Sequence, residues 1–385
     1  MDLSAIPLLD HHCHLLRRSG THLDGAAFRR HFGESSDALM DPHRPFHLFY
    51  RRGLRDLARL LGCEPTEEAV LHVRGSQPPQ DYARRLFEVS NIPVLLVDTG
   101  FRGSESYSLD QMRTFLPCTL YEVLRLETLA ERLIVGTRGF DAMEEAYRAD
   151  LSEARSRGVV AFKSIAAYRG GLEVAPRTRN EAAAVFPALQ ERARREGSLR
   201  LSERPLLEYL LRIALEEAAA QELPVQFHTG FGDDDVDLRS ANPLHLRPLL
   251  QDTALRGARF VLLHTYPFTR EAGYLAGIYG NVYVDLSLTI PFAAHGGAAA
   301  IRAALEQAPT SKLLLATDAF SIPELFFLGA LYARESLATA LEQLEGEGWL
   351  TAEEAQYAAG QILYDNAAAL YGIPDARNGR YGNRR

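Results

Sequence analysis

Residues 8–16 read "LLDHHCHLL". An apolar run passes without a break into Asp10, His11, His12 and His14, at the end of what reads as a first strand. Seven further runs are short, apolar and β-branched: "IPVLLVDTG" (92–100), "YEVLRLE" (121–127), "VVAFKSI" (159–165), "LPVQFHTG" (223–230), "FVLLHTY" (260–266), "VYVDLSL" (282–288) and "KLLLATDAF" (312–320). With "IPLLDHH" (6–12) they make eight. Each is near-continuously apolar rather than alternating, as parallel strands covered on both faces require. Between them lie Ala-, Leu-, Arg- and Glu-rich segments. Those at 204–222 and 336–350 carry apolar residues at the three- and four-residue spacing of a helix. Strand–helix alternation repeated eight times predicts an α/β fold, a (β/α)8 TIM barrel, ahead of a doubly wound sheet.

The expected organisation is a single barrel domain over 1–373. Residues 15–90 follow the first strand with Arg-rich helical faces and turns at "DPHRP" and "SQPPQ". They predict a helical insertion rather than a separate domain. Residues 374–385 form a polar, basic tail.

Composition narrows the function. Of the 385 residues 46% are hydrophobic and 24% charged, an ordinary globular balance. A net charge of −8 gives no general attraction for a phosphate backbone, so no nucleic-acid partner is expected. Cys13, Cys63 and Cys118 are too widely spaced for a disulfide framework or a CxxC metal knuckle. A reducing, cytoplasmic setting is the expectation. No secretory signal is read at the N-terminus, and no apolar run is long enough to span a bilayer, so no membrane partner is expected. The expected partner is a small-molecule substrate. Small-molecule barrels often form homo-oligomers, but no isolated interface stripe stands out.

In a barrel the active site forms at the C-terminal strand ends. There stand His12 and His14, then Arg125 and Glu127, Lys163, His228, His264, Asp285 and Asp318. His12 and His14 are two residues apart, so on a strand they project side by side and can share one metal ion. His11 faces the opposite way and is structural. Taken singly, each has an ordinary explanation: a strand-end His is usually a hydrogen-bonded rim residue, and an Asp such as Asp318 often caps a helix. Taken together, His12, His14, Lys163, His228, His264 and Asp318 close five of the eight strands, and cation binding gives one cause for all six.

These residues resemble the amidohydrolase superfamily: Asp10-x-His12-x-His14, strand-end His228 and His264, and "ATDAF" with Asp318. Longer stretches, "FKSIAAYRGGLE" (162–173), "PVQFHTGFGDDDVDLRSANPLHLRPLL" (224–250) and "VLLHTYPFTREAGYLAGIYGNVYVDLSL" (261–288), resemble the amidohydrolase-related domain that precedes a glutamine-synthetase-like domain in some fungal and plant proteins. The resemblance implies one or two divalent ions. Carboxylate and imidazole donors suit Zn2+ ahead of Mn2+ or Fe2+. It also implies that Asp318 both binds metal and carries a proton, and that Lys163 is carboxylated in two-metal members; the alternative is an uncarboxylated Lys163 that binds a substrate carboxylate. His264 is then either a ligand to a second metal or the group that polarises the scissile carbonyl.

Arg125, Glu127, Tyr168, Arg169 and Asp233 are the expected substrate-pocket residues, with the glycines of "GFGDDDVDLR" (230–239) allowing a tight turn after His228. The expected activity is hydrolysis of a C–N amide bond in a small polar or amino-acid-like substrate. The alternative is metal-dependent non-oxidative decarboxylation, which needs one metal and an Arg for the substrate carboxylate. A non-catalytic assembly module would have no use for six ligands.

Overall fold

The computed structural model describes residues 1–18, 23–101 and 105–374. All of the predicted tail except Pro374 lies outside the described residues. Eight strands form one sheet in sequence order: β1 (Leu9–His14), β2 (Val94–Asp98), β3 (Thr119–Arg125), β4 (Val159–Ser164), β5 (Pro224–Thr229), β6 (Arg259–His264), β7 (Val282–Asp285) and β8 (Leu313–Leu314). Each neighbouring pair is parallel. The ring closes where Asp318 N donates to His12 O at 2.9 Å and His14 N donates to Ala319 O at 2.8 Å.

The apolar runs are explained by what covers them. Leu95, Val97, Phe162, Val225, Phe227 and Phe260 face the surrounding helices. Leu9, Val94, Leu96, Val123, Ala161, Val261 and Leu263 face inward, where Tyr364, Leu370 and Tyr371 of the C-terminal helical segment pack against the strand starts. One end of the barrel is thereby filled, and the other is left for polar groups. The insertion between β1 and β2 carries helices Gly25–Arg30, Leu48–Leu61, Glu67–Gly75 and Pro79–Ser90. A buried Arg74–Glu324 pair at 2.7 Å ties it to the helix that follows β8.

Two local departures from the sequence reading affect the site. β1 slips register between Asp10 and Cys13. Such a bulge re-aims the residues after it. Leu9 and His11 face the barrel interior by alternation, and after the slip His12 and His14 face it as well. His11 therefore does not point away from the barrel; it lies one layer below His12. β3 ends at Arg125, and the next two residues of the predicted run begin the helix Leu126–Gly136. Among the described residues no helix is long and apolar enough to cross a membrane. The three cysteines are free.

Candidate metal centre

The open end of the barrel holds a cavity of about 270 Å³. His12, His14, Lys163, His228, His264 and Asp318 all line it, from β1, β4, β5, β6 and the segment after β8. Asp318 is at the centre. Its Oδ1 lies 3.2 Å from His12 Nε2 and 3.1 Å from His14 Nε2, and its Oδ2 lies 3.4 Å from His264 Nδ1. Lys163 Nζ is 3.3 Å from His12 Nε2. The His228 ring stands 4.7 Å from that of His264, and its Nε2 is buried without a hydrogen-bond partner. Among the described residues two overlapping trios bring ligand atoms within 4.8 Å of one another: His12–His264–Asp318 and His12–His14–Asp98. His264 and Asp318 both adopt left-handed backbone, with φ of 69° and 49°. That conformation is uncommon for residues with a side chain, and here it turns both side chains inward where their strands end.

A buried relay decides which His12 nitrogen faces the cavity. Asp285 Oδ2 accepts from the backbone N–H groups of His264 and Ser287, at 3.3 and 3.0 Å. Its Oδ1 accepts a hydrogen bond from His11 Nε2 at 3.0 Å. His11 Nδ1 must then accept, from Tyr371 Oη at 3.1 Å. The Tyr371 oxygen in turn accepts from Gln226 Nε2 at 2.9 Å, which leaves Gln226 Oε1 to accept from His12 Nδ1 at 2.9 Å. His12 Nε2 therefore carries a lone pair rather than a proton, and it faces the Asp318 carboxylate and Lys163 Nζ.

The charge states fit the same picture. Burial first, then the Lys163 ammonium, pushes the His12 imidazole down to about 4. Burial likewise holds His228 and His264 well below the ordinary imidazole range. These rings are neutral at pH 7. Burial and the neighbouring arginine work against the Lys163 ammonium, while Asp98 and Asp318 support it; the balance lies at about 8. Two acceptors, His12 Nε2 and Asp318 Oδ1, thus stand 3.2 Å apart with no proton between them. Buried neutral imidazoles, an anionic carboxylate and the orphaned His228 Nε2 are a donor set that suits a divalent cation.

The predicted substrate residues separate. Arg125, Tyr168, Arg169 and Asp233 line the cavity. Arg125 is bound to buried Asp98 by three contacts of 2.5–3.2 Å. Arg169 pairs with Glu131 at 3.3 Å. Glu127 is the correction. It is buried away from the cavity, accepting from Ser164 Oγ at 2.8 Å and Ile165 N at 3.0 Å. It braces the end of β4 and does not line the cavity, because the chain has already turned into a helix. Sequence reasoning also missed three residues. Asp98 ends β2 as Asp285 ends β7, a signal present in "LLVDTG". Gln226 precedes His228 by two positions and so shares its face. Glu34 lines the cavity from the insertion and carries no local signal at all.

Comparison with known proteins agrees with this geometry. The sequence profile of the amidohydrolase family matches residues 140–373, more than half of the chain, and the chain belongs to that family. Its fold is the metal-dependent barrel of the amidohydrolases. Protein fluG of Emericella nidulans is 29% identical over 396 residues, covering 95% of this chain and 45% of fluG. The chain thus spans less than half the length of that relative. A crystal structure from Lactobacillus casei ATCC 334, assigned as a metal-dependent hydrolase, is 32% identical with a TM-score of 0.87, covering 96% of this chain and 97% of the other. Glucuronate isomerase from Caulobacter crescentus, 16% identical with a TM-score of 0.69 over 96% and 92% of the two chains, shares the fold.

Proposed function

We propose that the protein is a metal-dependent hydrolase that cleaves a C–N amide bond in a small polar or amino-acid-like substrate, with Zn2+ as the ion. The observation that carries this reading is the pair of facing acceptors, His12 Nε2 and Asp318 Oδ1, at 3.2 Å inside a cavity walled by neutral imidazoles. The metal-dependent hydrolase from Lactobacillus casei, alike over almost its whole length, supports it. His12, His14, His228, His264 and Asp318 would hold the ion. A divalent ion there would polarise the scissile carbonyl and bring the pKa of a water toward ~7.

The remaining work falls to the chain. Asp318 takes a proton from the attacking water and delivers it to the departing amine nitrogen. Its contacts with His14 Nε2 and His264 Nδ1, at 3.1 and 3.4 Å, keep it aimed at the cavity in both steps. Helices and strands shield the floor from bulk water. The pairing of Arg125 argues against decarboxylation as the main activity. That reaction needs a guanidinium for the substrate carboxylate, and Arg125 is already matched to Asp98 by three contacts, whereas Arg169 meets Glu131 through one amino group and keeps a buried Nε without a partner.

Lys163 provides the test. At pH 7 a balance near 8 leaves about a tenth of it as free amine, against well under a thousandth for an ordinary lysine. A free amine adds to CO2 and releases one proton, giving a carbamate. The positive group next to His12 becomes an anion able to bridge two ions. Bicarbonate should therefore speed metal reconstitution of the apoprotein several-fold, followed by metal content and amine release. Lys163→Ala should hold fewer metal ions, and a short carboxylic acid should restore part of its activity. One ion per chain beside an unmodified Lys163 amine, with CO2 rather than amine released from test substrates, would overturn amide hydrolysis in favour of decarboxylation.

A further inference from the structure

Glu34 lies in the insertion, outside every strand and helix, yet it lines the metal cavity together with Asp233 of the loop after β5. Its Oε1 is buried and has no hydrogen-bond partner. The rest of the carboxyl meets that of Asp233. His228 Nε2, also buried and unpartnered, opens on the same cavity.

The structure around these two acids fixes their position. Buried Arg44 donates to Ser35 O at 2.8 Å and so steadies the insertion beside Glu34, and Ser36 Oγ donates to Asp234 Oδ2 at 2.5 Å, which joins the insertion to the β5 loop next to the pair. Asp233 N donates to Tyr168 Oη at 3.2 Å. A Cβ on Gly232 would fall 1.8 Å from that oxygen, so the loop closes this tightly only with glycine. Two carboxyls in contact must share either a proton or a cation. None of the arginines of the cavity wall is paired with these two acids: Arg125 meets Asp98, Arg169 meets Glu131 and Arg200 meets Asp235. Burial, then the Asp233 charge, push the Glu34 carboxyl well above the usual range, so that it keeps the proton of its hydrogen bond to Asp233. An ammonium group in place of that proton would let both acids ionise.

We propose that Glu34 and Asp233 form a subsite for a protonated primary amine on the substrate, so that the amide cleaved is one bearing a free amino group. This rests on the metal-hydrolase reading above. It adds that specificity comes in part from the insertion, which brings Glu34 to the barrel mouth.

The test uses zinc-loaded protein and a series of straight-chain ω-amino hydroxamates, from glycine hydroxamate upward, each matched to its ω-hydroxy counterpart. The hydroxamate anchors at the metal, and the far end reports the subsite. At one chain length the amino compound should bind about tenfold or more tighter, as a charge-assisted contact to a buried acid implies. In Glu34→Gln and in Asp233→Asn that preference should collapse, with zinc content and Tm retained. Asp233 is on an exposed loop, so its variant stays informative should Glu34→Gln fold poorly. Equal affinities across every wild-type pair would overturn the subsite and leave the metal reading intact. So would loss of a zinc equivalent in Glu34→Gln, which would make Glu34 a ligand instead. Zinc-loaded protein that binds no hydroxamate at all would overturn the metal reading and the subsite with it.

Discussion

Asp318→Asn is expected to lower kcat by about 10²- to 10⁴-fold, the usual worth of a placed general acid–base group, while most of the metal stays bound. An amide oxygen can still coordinate and can still accept a hydrogen bond, but it carries no proton at neutral pH. The backbone makes this an unusually clean substitution. Asp318 has φ of 49°, and Asn is among the few residues that tolerate left-handed geometry. The variant therefore removes the proton carrier without adding strain. Stopped-time assays of amine release, paired with metal analysis of the same samples, check it. Full activity in Asp318→Asn would take this residue out of the proton path.

His12→Ala should have the largest effect of any single ligand change, with metal and activity lost together. His12 belongs to both trios able to hold an ion, and His14, His264 and Asp98 each belong to one. Without the ion, water keeps its pKa of ~15.7, so a loss on the order of 10⁴-fold or more is expected. The wild type should also hold its metal to unusually low pH. Protons compete for an imidazole only near its folded pKa, and burial has moved that of His12 down to about 4. Metal release on acidification should thus have its midpoint below the ordinary imidazole value of ~6.5. Dialysis at stepped pH, with metal quantified in the protein fraction, gives both results. Release centred near ~6.5 would contradict an ion held by imidazoles that burial keeps from protonating.

Much of this centre is legible in the chain because strand-end chemistry is local. His12 and His14 share a face by the two-residue period, and Lys163, His228, His264 and Asp318 each end an apolar run. What the sequence hides lies where tertiary geometry overrides that period. The slip between Asp10 and Cys13 turns His11 inward, and hydropathy carries no mark of it. Glu127 looks like a strand-end acid, but β3 stops two residues earlier and its carboxylate braces Ser164 and Ile165 instead. Arg125 does reach the cavity, where Asp98 has already claimed it. Tyr371 and Glu34 come from the last helix and the insertion, and only folding brings them beside Gln226 and Asp233.

The barrel mouth as a metal centre is tested most directly by anomalous diffraction at the zinc edge from crystals of the zinc-loaded protein. The expected result is a peak in the cavity within bonding distance of His12 Nε2 and Asp318, with His228 Nε2 taking up the partner it lacks. No peak among these residues, or one confined to surface side chains, would contradict it.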